Sequence, residues 1–219
     1  MKIRSIFHRI LTRILRVFFY LLYHPMAWSY DFVAWLVSWG RWKTWINTIL
    51  PYLEGSTVLE IGHGPGHLQI ALFNKEINTF VIDSSHQMGQ QARQRISKLG
   101  FTPQISRSYA QKMPFPNRVF DQIVATFPTE YIYDPETLVE AYRILKSGGT
   151  LVILPTAWIT GKNLVDRGIA ALFRVTGQSP SWDRQWLAPF IKAGFQPDIE
   201  MVSHKTWSLV IISAHKPPN

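Results

Sequence analysis

The chain has 219 residues, of which 47% are hydrophobic and 17% charged, and its formal net charge is +9. That is enough for one full α/β core with an extra element, and too apolar for a disordered chain. There is no cysteine, which excludes a disulfide framework, a cysteine-ligated zinc site and a thiol nucleophile. The seven histidines are scattered with no H-E-x-x-H pair, so no metal site is expected.

The charge is uneven. Residues 1–50 hold seven Lys/Arg, a single acid at Asp31, and five of the nine tryptophans. Over 1–23, Lys2, Arg9, Arg13 and Arg16 fall near one face at helical spacing. Ile3, Ile6, Ile10, Ile14, Val17, Phe18 and Leu21 lie largely away from it, as in an amphipathic basic helix. The uncharged run 17–23 is too short to span a bilayer, which needs about 20 apolar residues, and His24-Pro25 ends it. Arg13 and Arg16 interrupt the apolar stretch that a signal peptide requires, and no small-residue cleavage site follows. Two readings of this segment stand: an anchor lying on an anionic membrane surface, or a helix packed on the protein's own core. Nucleic acid is not expected as a partner, because the aromatics come with long aliphatic runs rather than interleaved with polar residues. Over 26–50 apolar residues recur on nearly all sides of a helix, so this region is buried or faces lipid. Pro51 and Gly55 close it. The expected organisation is a helical arm over 1–50, suited to a membrane surface, and an α/β domain over 51–219.

Residues 57–61 form a short, β-branched apolar run that predicts a buried parallel strand. Gly62, Gly64 and Gly66 follow at alternate positions, and a helix starts at His67. Strand, glycine turn and helix bring backbone N–H groups close to an anionic or polar ligand, because glycine permits the turn and removes the Cβ. A glycine-rich turn without a ligand is the plain alternative. A second strand over 78–83 ends in Asp83, 23 residues after Glu60. A carboxylate at that tip can accept from both hydroxyls of a ribose, or it can simply cap the helix over 87–99. Strands are expected over 101–108 and 120–126, with Phe127-Pro128-Thr129-Glu130-Tyr131 at the carboxyl end of the latter. Ligands of open parallel sheets sit beyond such ends. A helix over 134–145 carries Asp134 as its cap and Pro135 in its first turn. A strand over 150–154 follows, then an insertion over 155–180. Leu164, Val165, Ile169, Leu172 and Phe173 give that insertion an amphipathic helix, either a lid or surface packing. A last helix over 182–193 and a hairpin of 195–203 with 206–214 complete the chain.

Four of these stretches carry a resemblance. Glu60-Ile61-Gly62-His63-Gly64-Pro65-Gly66 is spaced E-x-G-x-G-x-G, not as the G-x-G-x-x-G of dinucleotide-binding turns. It resembles the S-adenosylmethionine loop of class I methyltransferases. Asp83 to Met88 resembles their D-x-S-x-x-M run. Tyr109-Ala110-Gln111-Lys112-Met113-Pro114-Phe115, with Phe120-Asp121, resembles "D-A-x-x-L-P-F … F-D-x-V". Arg143-Ile144-Leu145-Lys146-Ser147-Gly148-Gly149 resembles "R-x-L-K-P-G-G". Upstream, Tyr30-Asp31, Ser38-Trp39-Gly40 and Trp42 to Trp45 are similar to the N-terminal helices of ubiquinone- and menaquinone-biosynthesis methyltransferases, where a tyrosine-aspartate pair helps cover the cofactor.

The resemblance covers 58–216 and implies a doubly wound, Rossmann-like α/β fold. Its seven-stranded sheet would have the order 3-2-1-4-5-7-6, with strand 7 antiparallel and extra helices at the N-terminus. It implies S-adenosylmethionine as cofactor, held by Glu60, Gly62, His63, Gly64, Gly66, Asp83, Ser84, Met88, Tyr109, Ala110 and Thr126. Tyr109 stands where the family usually has an aspartate accepting from the adenine amino group. The loop 127–131 lacks the Asn/Asp-Pro-Pro-aromatic motif of enzymes that methylate planar amino groups. The expected activity is transfer of a methyl group to a hydrophobic small-molecule or lipid-like acceptor, in the cytoplasm and peripherally on the inner face of the membrane. His63, Glu130 and Tyr131 are catalytic candidates by position alone. A non-catalytic, membrane-associated member of the fold and a nucleotide-dependent oxidoreductase are the competing readings. The glycine spacing and the turn before strand five weigh against the second.

Overall fold

The computed structural model describes residues 14, 17–161 and 184–218. Its seven strands form one sheet in the order β3-β2-β1-β4-β5-β7-β6. They are β1 (Thr57–Ile61), β2 (Asn78–Asp83), β3 (Gln104–Arg107), β4 (Phe120–Thr126), β5 (Leu145–Ile159), β6 (Gln196–Ser203) and β7 (Trp207–His215). The first five pair in parallel, and β7 runs antiparallel to both β5 and β6. The expected order and the reversed seventh strand are both present.

The helices are α1 (Tyr30–Ser38), α2 (Trp42–Asn47), α3 (His67–Phe73), α4 (His86–Ser97), α5 (Pro135–Ile144) and α6 (Ala188–Lys192). Residues 17–23 are helical as well. Helices on both faces explain why the central strands read as continuous apolar runs rather than alternating ones. Alternate residues then serve opposite faces. Leu59, Ile61 and Ile123 enter the core that Leu138 and Phe190 close. Val58 and Val124 enter the other, with Leu68 and Leu72 of α3 and Trp45, Ile46 and Ile49 from α2 and the turn after it. Helix α2 is therefore built into the core of the sheet.

Half-buried polar side chains hold the strands in place. The Asp121 carboxylate accepts from the Thr57 N–H and the Ser56 hydroxyl, each at 3.0 Å, and from Lys146 Nζ at 2.6 Å. Gln122 Oε1 accepts from the N–H groups of Glu54 and Gly55, both at 2.7 Å. These contacts set the start of β1, and through it the position of the glycine loop at its other end.

Several boundaries differ from the sequence expectation. Strand five is not confined to 150–154: β5 begins at Leu145 and continues to Ile159. It crosses an irregularity between Ile153 and Thr156 that contains Pro155, and stays paired with β7 as far as Ile159 opposite Trp207. A proline without an N–H donor is tolerated at such a bulge. Strand β3 is shorter than 101–108, because Pro103 cannot donate to the ladder; on its far side the Ser108 N–H turns to the Asp83 carbonyl at 3.1 Å. The last helix is a 3₁₀ turn (Arg184–Leu187) followed by α6, with Pro189 in the first turn of α6. The expected helix over 155–180 falls mostly on 162–183, outside the described residues, as does most of the basic helix over 1–16.

Candidate cofactor site

The sheet reverses its winding between β1 and β4, and the carboxyl ends of β1, β2 and β4 meet there. That is the place where open α/β sheets take their ligands. The glycines of the loop all have positive φ: 70° at Gly62, 53° at Gly64 and 87° at Gly66. The Gly62 N–H donates to the Ile82 carbonyl at 2.8 Å, which ties the loop to β2. A Cβ on Gly62 would collide with the Tyr131 hydroxyl, whereas one on Gly64 would meet nothing within 4 Å. At Gly64 the left-handed backbone is what requires glycine, and the space beside it is open.

Asp83 ends β2. Its carboxylate accepts from the Gly64 N–H at 3.0 Å and from the Ser85 N–H at 2.8 Å. A carboxylate offers about four lone-pair sites, so about half its capacity remains for a ligand. Ser84 is half-buried beside it, and its carbonyl accepts from Arg107 Nε at 3.0 Å. Ser85 caps α4, accepting from the Met88 N–H at 3.2 Å. The Met88 side chain is fully buried.

Glu60 is 1% exposed, and its one hydrogen bond is from Gln69 Nε2 at 3.2 Å. Burial first, and then the nearby Asp83 charge, push its pKa up to about 8 against the lowering contributed by Gln69. Glu60 therefore carries a proton at neutral pH. His63 is also buried, with Nδ1 2.6 Å from the Gly64 carbonyl. Burial holds its pKa below the ordinary imidazole value, opposed by Asp83. A neutral ring whose Nδ1–H donates to Gly64 leaves a lone pair on Nε2, which has no partner among the described residues. His63 and Asp83 line one cleft of about 100 Å³ together with Ser85, Gly89, Arg93 and Ile105.

Aromatic side chains wall the loop side. The Tyr131 hydroxyl donates to the Ile61 carbonyl at 3.2 Å. Burial, then Asp83, raises its pKa far above the ordinary tyrosine value. Tyr23 is pushed up to about 12 by burial and by Asp83, and Tyr30 is raised by burial first and then by Tyr23, Asp31 and Asp83. The Tyr23 carbonyl accepts from the Ser85 hydroxyl. A chain of rings runs from Tyr23 to Tyr30 (6.0 Å), on to Trp42 (6.1 Å) and Phe127 (4.4 Å). Phe127 follows β4 with φ at 48°. That conformation is rare for a bulky residue and clusters at functional sites. A charged latch closes the outside: Asp31 on α1 meets His67 Nε2 at 2.8 Å and the Arg95 guanidinium, and Arg95 also donates to the Pro65 carbonyl of the loop at 3.0 Å.

The structure thus brings Glu60, Gly62, His63, Gly64, Asp83 and Ser84 to one place. Ala110 is buried in the core next to this end of the sheet, and Thr126 closes β4, paired with Leu154. Gly66 faces away: a Cβ there would meet Ala92 of α4 at 3.1 Å. Tyr109 is 68% exposed, and Glu130 is exposed. Sequence reasoning missed Tyr23; Trp42 and the Tyr30-Asp31 pair were signalled by the N-terminal resemblance, and Phe127 by its place at the carboxyl end of β4.

Residues 59–153 match the methyltransferase domain family. Over 104 residues the chain is 34% identical to the phosphatidylethanolamine N-methyltransferase of Cereibacter sphaeroides, covering 46% of this chain and 51% of that one. Over 140 residues it is 29% identical to the ubiquinone/menaquinone biosynthesis C-methyltransferase UbiE of Neisseria gonorrhoeae, covering 61% of this chain and 57% of that one. The chain therefore spans about half the length of these curated relatives. A SAM-dependent methyltransferase of Methanosarcina mazei superposes with a TM-score of 0.58 at 18% identity, over 78% of this chain and 98% of that one. Over residues 59–153 and in its sheet, the chain is thus similar to S-adenosylmethionine-dependent methyltransferases.

Proposed function

We propose that the chain transfers a methyl group from S-adenosylmethionine to a hydrophobic small-molecule or lipid-like acceptor. The observation that carries the cofactor reading is Asp83, fixed by two backbone N–H groups beside the open side of Gly64, with acceptor capacity to spare. The residues present fit the group. Asp83 would take the ribose hydroxyls, the unpartnered Nε2 of His63 offers one further acceptor in the same cleft, and the glycine loop admits a ligand against its backbone. Bound there, S-adenosylmethionine supplies a methyl on a positively charged sulfur, ready for displacement by an acceptor atom.

The protein's part is then to orient and enclose. Glu60 stays protonated and adds no charge, which leaves Asp83 as the acid among the residues lining the cleft, where Arg93 and Arg107 also stand. Tyr23, Tyr30, Trp42 and Phe127 pack ring to ring on the loop side, with the Tyr131 hydroxyl on the Ile61 carbonyl, and would shield a ligand there from water. Tyr131 keeps its proton. The neutral His63 ring adds a buried nitrogen lone pair without a partner among the described residues.

The names of the relatives, which act on a phospholipid amine and on quinone precursors, support an acceptor of lipid-like class. So does the apolar N-terminal region. Residues 1–50 are read as the arm that holds the domain over 51–219 peripherally on the inner face of a membrane. Incubation with methyl-labelled S-adenosylmethionine tests this, with a membrane lipid extract, isoprenoid quinone precursors and nucleic acid as separate acceptors. Label is expected in an organic-phase product. Label in nucleic acid alone would overturn the acceptor class.

A further inference from the structure

Helix α1 shows water a face that a soluble helix ordinarily hides. Trp28, Phe32, Trp35 and Trp39 are 77%, 64%, 51% and 45% exposed, with Leu36 among them. Phe32, Trp35 and Leu36 share one side of the helix, with Trp28 in the 3₁₀ turn just before it and Trp39 just after, while Ala34 and Ser38 on the other side are buried. The rings form a continuous stack, Phe32 to Trp35 at 6.4 Å and Trp35 to Trp39 at 6.0 Å. An aromatic side chain presents about 150–250 Å², so four at this exposure match the largest apolar patch on an ordinary monomer, about 300–600 Å².

The end of α1 shows the same bias. The Gly40 N–H reaches back to the Trp35 carbonyl at 2.9 Å, the closing bond of a Schellman turn, which sets Trp39 in its left-handed position at φ 52°. Glycine is the usual residue there. A tryptophan costs local stability there, and its ring stays 45% exposed.

The charges around the face are mostly basic. Asp31 is the only acid of the first fifty residues, and it is engaged by Arg95 and His67. Beside Trp35 a groove of about 1100 Å³ is lined by Lys43 and Lys98, neither of which makes an ion pair among the described residues. Tryptophan rings over unpaired cations suit the interface of a bilayer, rings at the headgroup level and ammonium groups on phosphates.

We infer that the outer face of α1, from Trp28 to Trp39, is the surface by which this chain lies on an anionic lipid bilayer. The inference deepens the membrane contact of the proposed function and rests on that part of it. The latch from Asp31 to Arg95 and the Pro65 carbonyl would then place the bilayer against the outside of the glycine loop, where a lipid-like acceptor has the shortest path.

The test uses the full chain and vesicles of phosphatidylglycerol with phosphatidylcholine, or phosphatidylcholine alone. The wild type should float with the anionic vesicles, and less in high salt. Brominated phosphatidylcholine mixed into them should quench its tryptophan emission. Trp39→Gly separates fold from function: a structural role predicts a lowered Tm, and the docking role predicts an unchanged or raised Tm with weaker vesicle binding. Phe32→Ser/Trp35→Ser/Trp39→Gly should lose at least about tenfold in vesicle affinity with S-adenosylmethionine affinity retained. Since cofactor binding is read without vesicles, the methyltransferase reading and this one can fail separately. Unchanged flotation of the triple variant would overturn the inference, as would unquenched tryptophan in the wild type. So would a wild type that pairs with itself through this face, becoming monomeric on Trp39→Gly, without binding vesicles.

Discussion

A carboxyl as enclosed as that of Glu60 makes stability depend on pH in a definite direction. Its folded pKa, about 8, lies above its ordinary 4.5. The contribution is fully present below 4.5 and is lost as pH rises through 8, because the unfolded chain ionises first. Glu60→Gln keeps the acceptor for Gln69 and removes the titration. The variant's Tm should therefore gain on the wild type steadily between pH 5 and 8, by at least a few degrees, at roughly 2–4 °C per kcal/mol for a chain of this size. Differential scanning calorimetry across that range checks it, and a difference independent of pH would contradict the burial argument. Asp83 has the complementary part. Asp83→Asn should weaken S-adenosylmethionine and S-adenosylhomocysteine alike, by roughly tenfold or more, measured by calorimetric titration, since both carry the same ribose. These two acids were legible in the sequence, because each ends a strand whose apolar pattern is plain. The exposure of Tyr109 and the orphaned nitrogen of His63 were not, since both depend on which way a loop side chain turns. Tyr109 stands outside the enclosed part of the site, so Tyr109→Ala should alter cofactor affinity less than Asp83→Asn does.

At the scale of elements, the strands were readable from short β-branched runs and the glycine turns that bound them. What the sequence concealed was long-range pairing. Pro155 looked like the end of strand five, yet β7 continues to pair beyond it. Lys216 was equally silent. Lys216 is 4% exposed as a residue, and its ammonium donates to the carbonyls of Tyr142 and Leu145, both at 2.7 Å, over the Tyr142 ring. It satisfies carbonyls at the end of α5 that the helix cannot. Lys216→Met keeps the stem and strands those carbonyls, so it should cost on the order of 1–3 kcal/mol in a urea melt. It should leave cofactor affinity unchanged in the folded protein, since α5 ends at the opposite end of the sheet from the glycine loop. The aromatic face of α1 was legible only as an ambiguity, buried or lipid-facing, because apolar residues surround the helix. The fold resolves it by burying Ala34 and Ser38 and leaving the large rings outside.

Taken whole, the molecule is one seven-stranded sheet whose winding reverses between β1 and β4, with every part of the site at that reversal. The N-terminal helices contribute from both directions: α2 fills the core under the sheet, and Tyr23 and Tyr30 close on Asp83. Among the described residues no helix is long and apolar enough to cross a membrane, so contact with a bilayer falls to exposed faces such as that of α1. The central claim is that this reversal holds the adenosine of a methyl donor rather than a dinucleotide. Isothermal titration of the intact protein with S-adenosylmethionine and, separately, with NAD tests it most directly. The account predicts saturable one-site binding of S-adenosylmethionine, weakened by Asp83→Asn, and no binding of NAD. Saturable binding of NAD by folded protein that ignores S-adenosylmethionine would contradict it.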